Sequence, residues 1–430
     1  MTARTLEQLS GIIARNAAAL SRGIQDRGIP STTVQDIETP NFKGVNETAT
    51  TELANAAREL QALVQGPGQQ LSLLAFTYHD VSSLGTLLEF NIPRLVPLDG
   101  SISLSDLAAK SELQEDKLAR IVRYAMTNFI FREPSPGRIA HTSVSATLAR
   151  DPQFATFLRL VMVDLAPIAV ALPVALRRWP QSDAPTECGV NAAFDTDEPF
   201  FKWLSRDAGR QARFDEGMAG FSSADGSAGD RPQTVDVAAY PWGTALPPNA
   251  TVVDVGGGSG HVARALSEAF PSFRITVQDR HEVIEAAKTT TSRTERSKNV
   301  SYQVHNFFDP QPLAGADAYF FRQIMHDWPR RESVAILRAL VPALKPGARV
   351  LVSEYVVPPP EDLDAPGRLL DAKLIREMDL QMMAVFNSKE RTRDEFVALF
   401  AEADPRLRFR GVYQVPEDRK SCIFEARWEP

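Results

Sequence analysis

Cysteine is nearly absent: Cys188 and Cys422 are the only two in 430 residues. Two thiols cannot build a disulfide framework or a structural zinc site, so a reducing compartment fits best. Histidine is scarce as well, at six. Basic charge is not in excess, since 47 Lys and Arg stand against 54 Asp and Glu for a net charge of −7. A general nucleic-acid binder needs a basic footprint that this balance does not supply. Unbroken apolar runs are missing too. The longest stretch, 160–176, is interrupted by Asp164, Pro167 and Pro173 and falls short of the roughly 20 residues of a spanning helix. It is expected to be a buried helical region, not a membrane span. The N-terminus has no apolar core of signal-peptide length, and the expectation is a soluble, cytoplasmic protein. The remaining composition, 43% hydrophobic and 23% charged, is that of a globular chain and excludes a disordered tail or a fibrous rod.

Residues 1–150 are expected to form a mostly helical N-terminal domain. Leu6, Leu9, Ile12 and Ile13 recur at helical spacing, as do Leu53, Leu60 and Leu63. A Pro- and Gly-bearing linker over 29–50 separates them. A further helix is expected at about 82–91. Ser103 with Asp106 three residues later marks a helix start. The next helix places Leu118, Ile121, Val122 and Ala125 on one face. The run 129–142 then reads as two short strands around Pro136-Gly137. Three helices and a hairpin suggest a winged helix. Glu115 and Asp116 open the helix that would enter DNA. They would repel phosphates, which favours a dimerisation or lid module. Residues 151–240 are helical and rich in aromatics, Phe200, Phe201 and Trp203 among them, as expected of a core or of an apolar ligand pocket. The small polar run 222–236 reads as a loop or boundary.

From 250 onward strands alternate with helices. β-rich runs lie at 251–255, 274–278, 300–304, 316–321 and 349–354, and two more, 409–413 and 421–427, are close enough to pair as a hairpin. The pattern predicts an α/β fold: a Rossmann-like seven-stranded, mostly parallel sheet within a catalytic domain spanning 151–430. Ligands bind such sheets at the C-terminal strand ends. The first strand runs into Asp254-Val-Gly256-Gly257-Gly258-Ser-Gly260. Glycine there permits a tight turn and close approach of the backbone to a ligand. A dinucleotide loop needs G-x-G-x-x-G, and His261 stands where its last glycine would fall. Asp254 disfavours a pyrophosphate and suits a ligand with an ammonium group, which points to S-adenosylmethionine. Asp279 ends the second strand, 23 residues after Gly256, and is placed to accept two ribose hydroxyls. Asn306, His326 and Glu354 follow or end the next three strands, and Glu390 precedes a helix. One sheet edge thus gathers a glycine loop and four polar residues.

These runs, D-V-G-G-G-S-G, V-Q-D-R, H-N-F-F, M-H-D-W, S-E-Y and S-K-E-R-T in this order, resemble the small-molecule O-methyltransferases. They look like the plant caffeate and flavonoid type and, closer still, the fungal secondary-metabolite type. The resemblance covers roughly residue 80 to the end. It implies that Gly256 and Gly258, beside Asp254, hold the methionine part of the cofactor, Asp279 the ribose, and Asn306 and Phe307 the adenine. Arg322 takes the place of a basic residue before the catalytic histidine. His326 is then the general base, flanked by Glu354 and Glu390. Asn306 departs from the Asp common in that family. The N-terminal module is expected to pair with its twin in a homodimer.

The chemistry implied is methyl transfer to a hydroxyl of an aromatic or polyketide-type small molecule. A phenol, with a pKa of about 10, is ionised roughly one part in a thousand at pH 7. Attack on a sulfonium therefore calls for a base, and histidine with a reference pKa of about 6.5 suits that task. Met325, Met383 and Phe386 are expected at an apolar acceptor pocket, although Met378, Met382 and Phe386 also fall at the spacing of a buried helix face. No Cys, His or carboxylate run has metal-ligand spacing, and no metal is expected. Two alternatives remain: a SAM-binding enzyme on the same fold that does pericyclic or elimination chemistry, and a winged-helix DNA regulator.

Overall fold

The computed structural model describes residues 4–38, 44–224, 235–290, 298–359, 369–415 and 418–430. Most of the expected loop at 222–236, and part of the linker at 29–50, lie outside the described residues. Contacts divide the chain into two compact units. The first comprises Met1–Pro167, Leu204–Gly229 and Pro360–Leu370; the second comprises Ile168–Trp203, Asp230–Pro359 and Asp371–Pro430. The N-terminal segment of the first unit thus runs on to Pro167. The reason is local. Helix Pro152–Leu160 packs against helix Ala208–Ala224. Gly217 lies so close to Leu160 that a Cβ there would sit 2.7 Å from the leucine side chain. Arg213 donates to both carboxylate oxygens of buried Asp164, at 2.9 Å each.

In the first unit, helices Leu6–Asp26 and Glu47–Ala75 pack on one another. Thr5 and Gln8 close a capping box on the first, and Asn46 caps the second. Gly66, at φ +73°, kinks the second just before Pro67, whose missing N–H and fixed φ interrupt a helix interior. The expected helix-rich module follows. Helices Tyr78–Glu89, Leu104–Ser111 and Glu115–Met126 surround β1 (Ile102–Ser103), β2 (Arg132–Ser135) and β3 (Arg138–Ala140), joined antiparallel in the order β1-β3-β2. Ser103 caps its helix by accepting the Asp106 N–H at 3.0 Å. Leu87, Leu107, Leu118, Val122, Phe131 and Ile139 form the core.

The second unit holds the seven-stranded sheet. Its strands are β4 (Thr251–Val255), β5 (Arg274–Asp279), β6 (Val300–Val304), β7 (Ala318–Arg322), β8 (Arg349–Tyr355), β9 (Leu407–Val415) and β10 (Asp418–Trp428). Their order is β6-β5-β4-β7-β8-β10-β9. The first five are parallel, and β10 runs antiparallel to both β8 and β9. Neighbouring residues point to opposite faces, as a pleated strand requires. Val253, Phe321 and Val352 pack on one side with Phe396 and Phe424, whereas Val252, Phe320 and Leu351 pack on the other with Trp242. β4 has β5 on one flank and β7 on the other, so the strand order reverses beside the glycine loop, where open α/β sheets bind ligands.

The apolar run at 160–176 is helical, but it is not the buried region expected. Helix Pro152–Leu160 passes through a π turn, Val161–Leu165, into Ala166–Val170 and Leu172–Arg178. By length and composition, Pro152–Arg178 would suffice to cross a membrane: an 18-residue window within it has mean hydropathy 2.0, and only 17% of that window is buried. Val170, Val174 and Leu176 are exposed. Hydropathy counts apolar groups without recording what covers them.

Phe424 is fully buried, with its ring 4.4 Å from that of Phe396. Phe424→Ala should cost about 3–5 kcal/mol through the cavity it leaves. Urea unfolding followed by tryptophan fluorescence checks this; a loss below about 1 kcal/mol would mean that the antiparallel edge is not part of the cooperative core.

Candidate active site

The chain leaves β4 through Gly256, Gly258 and Gly260 at φ of +73°, +57° and +78°, a left-handed backbone that side chains disfavour. Gly257 is constrained by space instead, since a Cβ would lie 2.6 Å from the Asp254 carboxylate. At Gly256 a Cβ would meet Ile324 at 2.5 Å, so the glycine loop and the turn after β7 are in contact. The N–H groups of Gly256 and Gly257 donate to the Gln278 carbonyl at 2.8 and 3.2 Å. Asp279 ties the next strand end to the same loop. One of its oxygens accepts the Gly258 N–H at 2.9 Å and the other the Arg280 N–H at 2.7 Å. Burial pushes this carboxyl up from its ordinary range, against the pull of those two amides. Each oxygen keeps a further lone pair for hydroxyl donors.

After β6 the structure separates two neighbours that the resemblance pairs. Phe307 reaches the glycine loop, within 3.8 Å of the Gly256 Cβ position. Asn306 is exposed and turns its amide onto its own turn: the oxygen accepts the Phe308 N–H at 3.3 Å and the nitrogen donates to Asp309 at 3.2 Å. Arg322 ends β7 beside Ser353, and its guanidinium donates to Gln323 at 3.2 Å.

His326 sits in the short turn Met325–Asp327 after β7, with its side chain only 12% exposed. Its Nδ1 bonds Glu390 at 2.9 Å. Glu354 lies 3.8 Å from the same nitrogen through one oxygen. Through the other it accepts the consecutive N–H groups of Ile324 and Met325, at 2.9 and 2.7 Å. The two glutamates therefore differ in role: Glu390 holds the ring, and Glu354 holds the turn that carries it. Nε2 is left facing away from both, with Asp327 3.5 Å off.

The electrostatics correct one expectation. Burial works against an imidazolium, but Glu354, Glu390 and Asp327 together outweigh it and push the His326 pKa up to about 10. Burial also raises Asp327, to about 7, and raises Glu354. The three carboxylates thus favour the imidazolium well beyond the range that the reference value gives. These groups exchange protons as one system, so pH limbs belong to the cluster.

Ligand atoms of His326, Glu354 and Glu390 lie within 4.8 Å of one another, a grouping that sequence spacing does not reveal. The donor types suit a divalent ion, but at 2.9 Å the contact between Nδ1 and Glu390 is the length of a hydrogen bond. Of the expected pocket residues, Met325 belongs to the hydrophobic core and is fully buried. Met383 is half-buried. Phe386 stands in a row of rings: Phe200 and Phe201 lie 5.2 and 5.3 Å from it, and Phe201 reaches Trp328 at 6.5 Å. Trp328 in turn meets Phe307 and Phe308, at 5.9 and 4.7 Å. Not singled out from the sequence are Asp327, Trp328, Arg391 and Asp379, whose carboxylate accepts the Glu390 N–H at 2.9 Å. The first three lie inside motifs whose adjacent His326 and Glu390 drew the attention.

Comparison with known proteins places the chain in a family. Residues 190–404 match the O-methyltransferase domain family. A chlorophenol O-methyltransferase of Trichoderma longibrachiatum is 39% identical over 377 residues, 87% of this chain and 79% of that protein. The O-methyltransferase AMT9 of Alternaria alternata is 34% identical over 99% of this chain and 98% of its own. Among solved structures, OxaC with S-adenosylhomocysteine and oxaline superposes with a TM-score of 0.77 at 24% identity, over 98% of this chain and all of that one. LepI with S-adenosylmethionine gives a TM-score of 0.77 at 23% identity, over 97% and 100%. At such identities the structural likeness speaks for the fold.

Glu390→Gln should lower the His326 pKa from about 10, because a hydrogen-bonded negative charge that favours the imidazolium is removed. A titration of the imidazole nitrogens by NMR reads this directly. An unchanged value would show that Glu390 does not hold the ring.

Proposed function

We propose that this chain, which belongs to the S-adenosylmethionine-dependent O-methyltransferase family, methylates a phenolic hydroxyl with His326 as general base. The observation that carries the reading is the tethering of His326 through Nδ1 by Glu390, which leaves Nε2 to take a proton. S-adenosylmethionine supplies a sulfonium-bound methyl group. The glycine loop fits it: Gly258 borders open space, with nothing within 4 Å of its Cβ position, and Asp254 and Asp279 offer carboxylates to ammonium and ribose. Phe307 offers a ring face to the adenine. The acceptor's oxygen forms a bond to the methyl carbon as the carbon–sulfur bond breaks, and its proton passes to Nε2. Glu390 stabilises the imidazolium that results.

A positive ligand beside the cluster disfavours the imidazolium, so cofactor binding works to free Nε2 of its proton. The row Phe386, Phe201 and Trp328 suits a flat, apolar acceptor such as a substituted phenol or polyketide. That class agrees with a relative named for chlorophenol. We also assign the first unit to homodimer formation. Leu63, Val64, Leu71, Leu73 and Leu74 are exposed along helix Glu47–Ala75, and Phe76 at its C-cap, an apolar strip that marks an interaction surface. Neither cysteine forms a disulfide, which fits a reducing, cytoplasmic setting.

His326→Ala should cut kcat by a factor of about 10² to 10⁴ while leaving the affinity for S-adenosylmethionine nearly intact. Full activity of that variant at pH 7 would remove the base assignment. The profile of kcat/KM against pH reports the free enzyme, and the neutral imidazole is the active form. It should therefore climb from pH 7 towards about 10, whereas the kcat limb lies lower because the bound sulfonium repels the proton. A flat profile over that range would contradict the mechanism. Asp279→Ala should weaken cofactor binding by about 1–3 kcal/mol in calorimetry. Light scattering should give twice the chain mass for the wild type and a monomer for Leu71→Glu with Leu74→Glu.

A further inference from the structure

Arg391 is buried to 2% exposure beside the cluster, and no step of the transfer uses it. Its backbone forms an isolated parallel bridge with Val356, and its carbonyl accepts the Val357 N–H at 3.0 Å. The chain just beyond Glu354 is thereby joined to the chain just beyond Glu390. Its side chain turns towards the third member. The guanidinium donates to the Met325 carbonyl, to the Trp328 carbonyl at 2.6 Å and to Ser333 Oγ at 3.1 Å. Ser333 itself donates to the Trp328 carbonyl at 2.9 Å. The turn that carries His326 is thus gripped from two sides. The carboxylate of Glu354 takes its N–H groups, and the guanidinium of Arg391 takes its C=O groups.

We propose that Arg391 is a positioning residue for methyl transfer: its fork locks the 325–328 turn so that Nε2 of His326 faces the acceptor, and its charge offsets the buried carboxylates around that ring. The inference rests on the base role of His326. Burial disfavours the guanidinium charge, whereas Glu354, Glu395 and Glu390 favour it and Arg330 opposes it. The charges facing the ring itself are Glu354, Glu390 and Asp327. A lysine could restore the charge but not the fork, since its ammonium is a point donor that cannot span two carbonyls in a fixed plane.

The two contributions separate in the full-length enzyme. Arg391→Lys keeps the charge and loses the fork. Its kcat should fall about 10- to 100-fold, the cost of a misplaced catalytic group. Its affinity for S-adenosylmethionine should stay within about threefold of wild type, and its kcat–pH limb should stay in place. Arg391→Met removes the charge as well, so the imidazolium is held more tightly and the limb should move to higher pH. A merely structural role would scale activity with the folded fraction and leave the limb where it was in both variants. Should Arg391→Met be insoluble, Arg391→Lys decides alone, with wild-type kcat in a folded protein overturning the proposal. His326→Ala combined with Arg391→Lys tells this failure from failure of the base reading. If Arg391 acts through His326, the double variant should lose no more than His326→Ala alone. A further, independent loss in the double variant overturns the positioning role. A fully active His326→Ala overturns the base reading, and with it the route by which Arg391 acts.

Discussion

One carboxylate oxygen of Glu354, with two consecutive backbone amides donating to it, is the contact from which the rest of the site takes its shape. It stops the chain directly after β7 from continuing as strand and turns it so that the next residue, His326, comes back under Glu390. Gln323, at φ +51°, makes the bend possible, and its N–H is kept in register by the Ser353 carbonyl at 2.9 Å. Because the oxygen is buried, no water competes for those amides. The same burial leaves the second oxygen to act on the ring by charge across 3.8 Å. A single side chain thus does both geometric and electrostatic work.

Burying so much negative charge in one place is costly unless it is compensated. Here the compensation is shared between a proton and a cation. The carboxylates favour a proton on His326 well above the ordinary imidazole range, and Arg391 contributes its guanidinium from the far side of the same turn. The sheet supplies the rigidity that lets the balance hold. β7 and β8 are neighbours in parallel register, with Arg322 opposite Ser353, so the residues that follow them cannot drift apart.

Much of this was legible in the sequence for physical reasons that can be named. The glycine loop announces itself because its left-handed backbone at Gly256, Gly258 and Gly260 admits little else. Strand ends are legible because alternation of type and hydrophobicity is local, and every expected strand from 251 onward is present. Asp279 and His326 could be placed at one edge from topology alone, since parallel strands bring their C-terminal ends together. What did not follow was any property that depends on what surrounds a residue. Met325 looked like a ligand contact from its place beside the base, yet its side chain enters the core under the sheet. The run at 160–176 reads as core from its hydropathy and is only in small part buried.

By itself the sequence determined the order of strands and helices, the glycine turn, and the identity of the residues delivered to the sheet edge. These rest on local sterics, on periodicity and on the rule that parallel strands share an edge. Only the tertiary structure decided that Glu390 and not Glu354 bonds the imidazole, that three carboxylates raise the pKa of the histidine, and that Arg391 closes the turn beneath it. Each of these is a matter of a few ångströms between residues tens of positions apart. The energy of a charge depends on distance and on the burial of its neighbours, and neither quantity is written along the chain.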